Sequence, residues 1–231
     1  MPFKSNPNQL IVEGYDDLQS VAALMGAYTP WNQDKHKSPV WIEISNGAQE
    51  ILRDGFLSVY LKDPEIQTLG IMFDADTKPF ERYARVSALC GKFFEFPDEL
   101  PRKGVVLENS DQKRLGIWIM PDNSSEGDME TFLRYLIPQA AEEIWKHAVS
   151  CVTEAKQMGC PCHDTHLPKA NLYTWLAWQN PPGQSPGRAL TKQALDPQCE
   201  TAGVFAKWFM DLYRLPPLRS PLPDDEILRE G

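Results

Sequence analysis

Two apolar runs in this sequence end in carboxylates at a turn. Glu13 closes QLIVE at 9–13 and precedes Gly14, while Asp74 and Asp76 follow the run TLGIMF in the turn DADT. If the two runs are adjacent parallel strands, all three carboxylates gather at one end of a sheet. Their mutual repulsion would raise at least one pKa, whereas bound divalent cations would keep all three ionised. Hard oxygen donors at that density suit Mg2+ or Mn2+, which leave positions open for phosphate oxygens. A strand-terminal Asp-x-Asp alone serves equally well as a helix cap in a solvated turn. Its pairing with a Glu-Gly at another strand end is what favours metal.

The elements that must position these residues are legible from periodicity. Residues 9–13 read as a strand, and Leu18, Val21, Leu24 and Met25 as the apolar stripe of a following helix. VWIEI at 40–44 is strand-like before Asn46-Gly47 breaks it, and Ile51 to Leu61 supports a second helix weakened by Gly55. TLGIMF at 68–73 is a compact buried strand, followed by helix-compatible sequence over 80–94. GVVLE at 104–108 and RLGIWIM at 114–120 read as a hairpin. A long helix is expected from near Asp128 to about Gly159, broken at Pro138, then a short aromatic helix over 170–179, a Pro/Gly loop over 180–187 and a closing apolar helix over 204–215. Repeated strand–helix alternation predicts an α/β fold with a mostly parallel sheet and flanking helices. We expect a core over 1–140, an α-helical C-terminal extension over 141–215 packed on it, and a Pro-rich tail over 216–231.

A chain of 231 residues buries a sizeable core without disulfides, and its five cysteines are too few and too scattered for a secreted framework. No run approaches the roughly 20 apolar residues of a membrane span, and the opening residues lack the apolar middle of a signal peptide. The expectation is therefore a cytoplasmic protein without a membrane role. The net charge of −9 is awkward for a nucleic-acid enzyme, because phosphate binding draws on Lys and Arg. Metal-binding carboxylates account for part of that charge, and a local basic face is compatible with an acidic whole.

Glu13 in LIVEGYDD and Asp74 with Asp76 in GIMFDADT resemble the hallmarks of the Toprim superfamily, a Glu ending the first strand and an Asp-x-Asp ending a later one. The resemblance covers about the first 140 residues. It implies a Toprim-like Rossmannoid sheet whose acidic residues bind Mg2+, as in topoisomerases, bacterial primases and small nucleases. Glu13-Gly14-x-x-Asp17 and Gly127-Asp128-Met129-Glu130 look nearest in form to nucleases of the OLD (overcoming lysogenization defect) type and to a standalone Toprim-like domain family of unknown function. That comparison implies a second metal site completed by Asp17 and Glu130, with Lys169 stabilising charge on the phosphate, and a setting in defence or mobile elements. Read by themselves, Asp17 suits the first turn of a helix, and Asp128 with Glu130 a capped helix start.

Cys160, Cys162, His163 and His166 supply zinc-type ligands, but Cys-x-Cys-His spacing strains a tetrahedral site and no second knuckle follows. Reduced thiols and surface imidazoles are the plainer reading, with His163 or His166 alternatively near a substrate. Tyr173, Trp175 and Trp178, with Gly183, Gly187 and Arg188 beyond, offer base stacking and phosphate contact; at near-helical spacing the aromatics read more readily as core.

These observations lead to an expected Mg2+- or Mn2+-dependent phosphodiester hydrolysis of DNA or RNA. Glu13, Asp74, Asp76 and Lys169 would be catalytic, Glu13, Asp17, Asp74, Asp76 and Glu130 metal-binding, and Lys169 and Arg188 substrate-binding. Two cations about 4 Å apart would clamp the phosphodiester. One alternative is a metal-dependent enzyme on nucleotides or small phosphoesters, which the acidic charge suits. Another is a non-catalytic module beside an ATPase or other partner protein, since the sequence contains no Gly-x-x-x-x-Gly-Lys-Ser/Thr loop of its own.

Overall fold

The computed structural model describes residues 6–218 apart from positions 33 and 35; residues 219–231, most of the expected Pro-rich tail, and the opening five residues lie outside the described residues. Strands β1 (Asn8–Val12), β2 (Trp41–Ile44), β3 (Thr68–Asp74), β4 (Val105–Glu108) and β5 (Arg114–Met120) form one sheet in the order β2-β1-β3-β5-β4. All neighbours are parallel except β4, which pairs antiparallel with β5 as the expected hairpin. The result is the mostly parallel α/β sheet anticipated from the alternating elements.

Strand alternation divides the apolar side chains between two cores. Leu10, Val12, Met72, Trp118 and Met120 face one side, where helices α1 (Tyr15–Met25), α5 (Met129–Tyr135), α7 (Leu167–Ala177), α8 (Pro186–Thr191) and α9 (Glu200–Tyr213) pack. Ile11, Leu69, Ile71, Phe73, Ile117 and Ile119 face the other, covered by α2 (Ala48–Ile51), α3 (Phe56–Lys62) and α4 (Pro79–Cys90). Helix α6 (Glu142–Gln157) lies outside this layer and packs on α7. Because both faces are covered, the central strands read as nearly continuous hydrophobic runs rather than as alternating ones.

Three helical expectations change. The helix expected across Ile51–Leu61 is two helices, since Gly55 takes a left-handed φ of 86° between them. The aromatic helix starts earlier, at Leu167, because Pro168 suits the first helical turn, and the expected Pro/Gly loop gives way to α8 at Pro186. The closing helix likewise begins at Glu200 rather than near Val204.

That closing helix is seated at the middle of the sheet. Gly70 and Gly116 are register partners on β3 and β5; a Cβ on Gly116 would collide with Leu212 of α9, and one on Gly70 with the Tyr213 hydroxyl and Leu10. The bare backbone lets α9 approach until Tyr213 Oη donates to the Gln9 carbonyl at 2.7 Å and Trp208 Nε1 to that of Val105 at 2.9 Å. These two buried donors are thus paired, as a low-dielectric interior favours.

Candidate acidic site

The sheet topology creates a crevice between β1 and β3. From β1 the chain passes through α1 on one face to β2, then returns through α2 and α3 on the opposite face to β3 on the other side of β1. In open α/β sheets such a switch point leaves a cleft beyond the carboxyl ends of the strands, and ligands bind there. Glu13 follows β1 and Asp74 ends β3, so both stand at this crevice.

The Glu13 carboxylate bridges the two sides. Its Oε1 accepts from the Asp74 amide at 2.7 Å and its Oε2 from the Ala48 amide at 3.0 Å. Asp17 Oδ2 accepts from the Gly14 amide at 2.8 Å, capping the start of α1 from its third position. Asp74 Oδ1 accepts from the Met129 amide at 3.0 Å, which ties β3 to the first turn of α5. Asp128 caps that helix through Thr131, as its position in the sequence allowed, and its neighbour Glu130 approaches Lys169 at 3.5 Å.

The electrostatics show how crowded the carboxylates are. Burial, reinforced by the charges of Glu13, Asp17, Asp128 and Glu130, pushes Asp74 up to about 9. Burial, with Glu13, Glu130 and Asp16 nearby, lifts Asp17 to about 7 against the opposing pull of the Gly14 amide. Glu13 and Glu130 are also raised, each chiefly by burial, Asp76 adding to the first and Asp128 to the second. Four carboxylates therefore compete for negative charge in one partly buried space. Each shift has the sign that an uncompensated acidic cluster produces.

A cationic element borders this space. Lys169 Nζ meets Asp16 Oδ2 at 2.8 Å, and Tyr173 Oη donates to the same oxygen at 3.0 Å. Burial opposes the charge of Lys169, but the Asp16 hydrogen bond and the charges of Glu130 and Asp16 outweigh it and hold the ammonium above its ordinary range. Burial likewise disfavours the Asp16 carboxylate, and Lys169 and Tyr173 more than offset it, leaving Asp16 lowered. The contacts of Asp16 with Lys169 and Tyr173 were missed in the sequence. The available signal was the four-residue spacing of Lys169 and Tyr173, which puts both on one face of α7.

The structure thus brings Glu13, Asp17, Asp74, Glu130 and Lys169 together. Asp76 is placed differently: it has a positive φ of 52°, its backbone pairs with Gly127, and its exposed carboxylate meets Arg82 at 2.5 Å. Arg188 lies on α8 and lines a separate cleft. The expected stacking trio is dispersed, with Trp175 fully buried in the core and Trp178 stacked on His147 at 5.4 Å. In the Cys/His loop His163 Nδ1 contacts Thr165, and the Cys162 thiol faces the His163 carbonyl.

As they stand, the described residues include no group of three His, Cys, Asp or Glu side chains poised around one metal position. The donor set nevertheless fits a hard divalent cation, being all carboxylate oxygen and carrying charge that a cation would compensate. Asp17 and Asp74 each spend one oxygen on a backbone amide, and the other makes no hydrogen bond with a described residue. Among the described residues, no helix is long and apolar enough to cross a membrane.

No curated protein and no solved structure matches the chain. A family model, Protein of unknown function (DUF3226), matches residues 7–214. That span runs from the residue before β1 to the residue after α9, enclosing the whole sheet, the acidic crevice and the Lys169 helix, and the chain belongs to the DUF3226 family.

Proposed function

We propose that the chain is a Mg2+- or Mn2+-dependent phosphodiesterase acting on nucleic acid, of the Toprim type that its LIVEGYDD and GIMFDADT segments resemble. The observation that carries this reading is the crowding of Glu13, Asp17, Asp74 and Glu130 at the β1/β3 switch point, with Lys169 beside them. A structural capping role explains any one of these carboxylates. It does not explain why Asp74 and Asp17 are kept where their ionisation is so disfavoured.

Glu13, Asp17, Asp74 and Glu130 would hold the metal, and Asp76 would join them on release from Arg82. Metal bound there would polarise the phosphoryl oxygens and acidify a bound water. The backbone amides of Asp74 and Ala48 fix the Glu13 carboxylate, so its oxygens are pre-aimed. Lys169, held by Asp16 beside Tyr173, would offset negative charge developing on the phosphoryl group.

The test is cleavage of labelled DNA and RNA while Mg2+ or Mn2+ is titrated into the wild type and into Asp74→Asn. Cleavage that needs both the metal and Asp74 supports the reading and identifies the polymer. Metal binding without cleavage of either polymer overturns the nuclease assignment, and absence of metal binding overturns the site.

A further inference from the structure

A cleft of about 750 Å3 lies between α1, β2 and α8. Ile42 of the edge strand and Trp31 supply apolar surface, and Tyr15, 65% exposed at the first position of α1, stands at its rim. Tyr15, on the lining, is two residues from Glu13 and adjoins Asp16 along the chain, so the cleft and the acidic crevice share the start of α1. The volume is in the range of ordinary ligand sites.

The charge of this cleft is opposite to that of the molecule. Its described lining contains Arg188 and Lys192 and no Asp or Glu, in a chain of net charge −9. Arg188 and Lys192 are exposed, four residues apart and hence on one side of α8, and neither side chain makes an ion pair or hydrogen bond with a described residue. Most other cations near the crevice are engaged: Arg82 with Asp76, Lys169 with Asp16, Lys78 with Glu81. Ser38, also on the lining, keeps a buried hydroxyl without a hydrogen-bond partner among the described residues.

We propose that this cleft seats a single strand of nucleic acid, with its phosphates on Arg188 and Lys192 and a base against Trp31 or Tyr15, and leads the strand past Tyr15 to the acidic crevice. The proposal deepens the phosphodiesterase reading and rests on it for the direction of the strand. Unpaired cations one helical turn apart follow a line of successive phosphates, and an aromatic surface binds the face of an unstacked base. A duplex hides its base faces within its own stack and gains nothing from the aromatic lining.

The experiment is fluorescence anisotropy of short labelled oligothymidylate and oligouridylate on the full chain in EDTA, where neither metal binding nor cleavage intervenes. Arg188→Ala/Lys192→Ala is compared with Lys207→Ala, which removes an exposed cation on α9. The expected result is binding by the wild type and the Lys207 variant, weakened about tenfold or more in the double variant. Its salt slope should also be shallower by about 0.7 for each phosphate that the double variant no longer neutralises. No binding, binding indifferent to Arg188 and Lys192, or equally strong competition by thymidine monophosphate would overturn the proposal. Binding through these residues without cleavage in Mg2+ leaves the cleft standing and removes the nuclease reading; cleavage with unaltered oligonucleotide binding in the double variant does the reverse.

Discussion

Glu13 Oε1 accepts a hydrogen bond from the backbone amide of Asp74 at 2.7 Å, so the two residues that mark the ends of β1 and β3 are joined directly across the switch point. The carboxylate that would hold a metal therefore also fixes the backbone of its neighbour. Structure and chemistry share an atom.

That double use can be separated by mutation. Glu13→Ala leaves the amides of Asp74 and Ala48 without their acceptor, and each buried unsatisfied donor costs about 1–3 kcal/mol. The expected loss is on the order of 2–4 kcal/mol in urea unfolding at pH 5, where Asp17 and Asp74 retain protons and removal of the Glu13 charge offsets little. An unchanged midpoint would show that the bridge carries no structural weight.

Asp74 and Asp17 make the metal-free protein sensitive to alkali. Both folded-state values, about 9 and about 7, lie above the ordinary 3.8, so the folded chain binds these protons more tightly than the unfolded chain. The stability this contributes is complete below about pH 4 and is lost as pH rises through about 7 for Asp17 and about 9 for Asp74. In EDTA, Tm should fall between about pH 5 and 9, by roughly 2–4 °C per kcal/mol of stability removed. Asp74→Asn should flatten the decline, and Mg2+ should restore Tm in the wild type at about pH 8. A Tm that rises with pH in EDTA would contradict the crowding.

Lys169 touches the site from a distant part of the chain, 153 residues from Asp16. Its side chain is 49% exposed, so the ion pair contributes little to stability. Lys169→Met should change unfolding free energy by no more than about 1 kcal/mol. Cleavage, measured at saturating Mg2+, should fall about tenfold or more. Comparable cleavage by the variant would remove Lys169 from the mechanism.

The strands and their terminal carboxylates were legible because a buried parallel strand is a short apolar run, and a polar residue can follow it only where the run leaves the core. Asp17, Asp128 and Glu130 stood out because helix starts have their own grammar, and the structure keeps the capping geometry that grammar describes. What could not be read was partnership. Nothing local in DADT says that Asp74 turns toward Met129 while Asp76 turns toward Arg82, since that choice follows from the backbone pairing of Asp76 with Gly127. Nor does any spacing link Lys169 to Asp16, because the packing of α7 and α1 on a shared core decides it. The aromatic residues of α7 were ambiguous for the same reason: one face of that helix is core and the other meets Asp16.

The glycine pair at the centre of the sheet offers a test of the fold itself. Gly116→Ala places a methyl against Leu212 and should displace α9, destabilising the chain by about 1–3 kcal/mol, read by thermal or urea unfolding. Gly159→Ala, whose position is open, is the comparison for a glycine without such a neighbour, although its φ of 93° carries its own backbone cost. An unchanged midpoint for Gly116→Ala would show that close approach of α9 is not what Gly116 secures.

Because α9 lies on those glycines, a helix made after all five described strands covers the middle of the first core. A nascent chain that has already produced β1 to β5 lacks the share of this core that α9 supplies over Leu10 and Trp118 until residues 200–213 leave the ribosome. The acidic crevice therefore rests on a sheet whose face is closed only after residues 200–213 have been made. A product cut short before Glu200 would carry every proposed metal ligand and lack the surface that holds them in place.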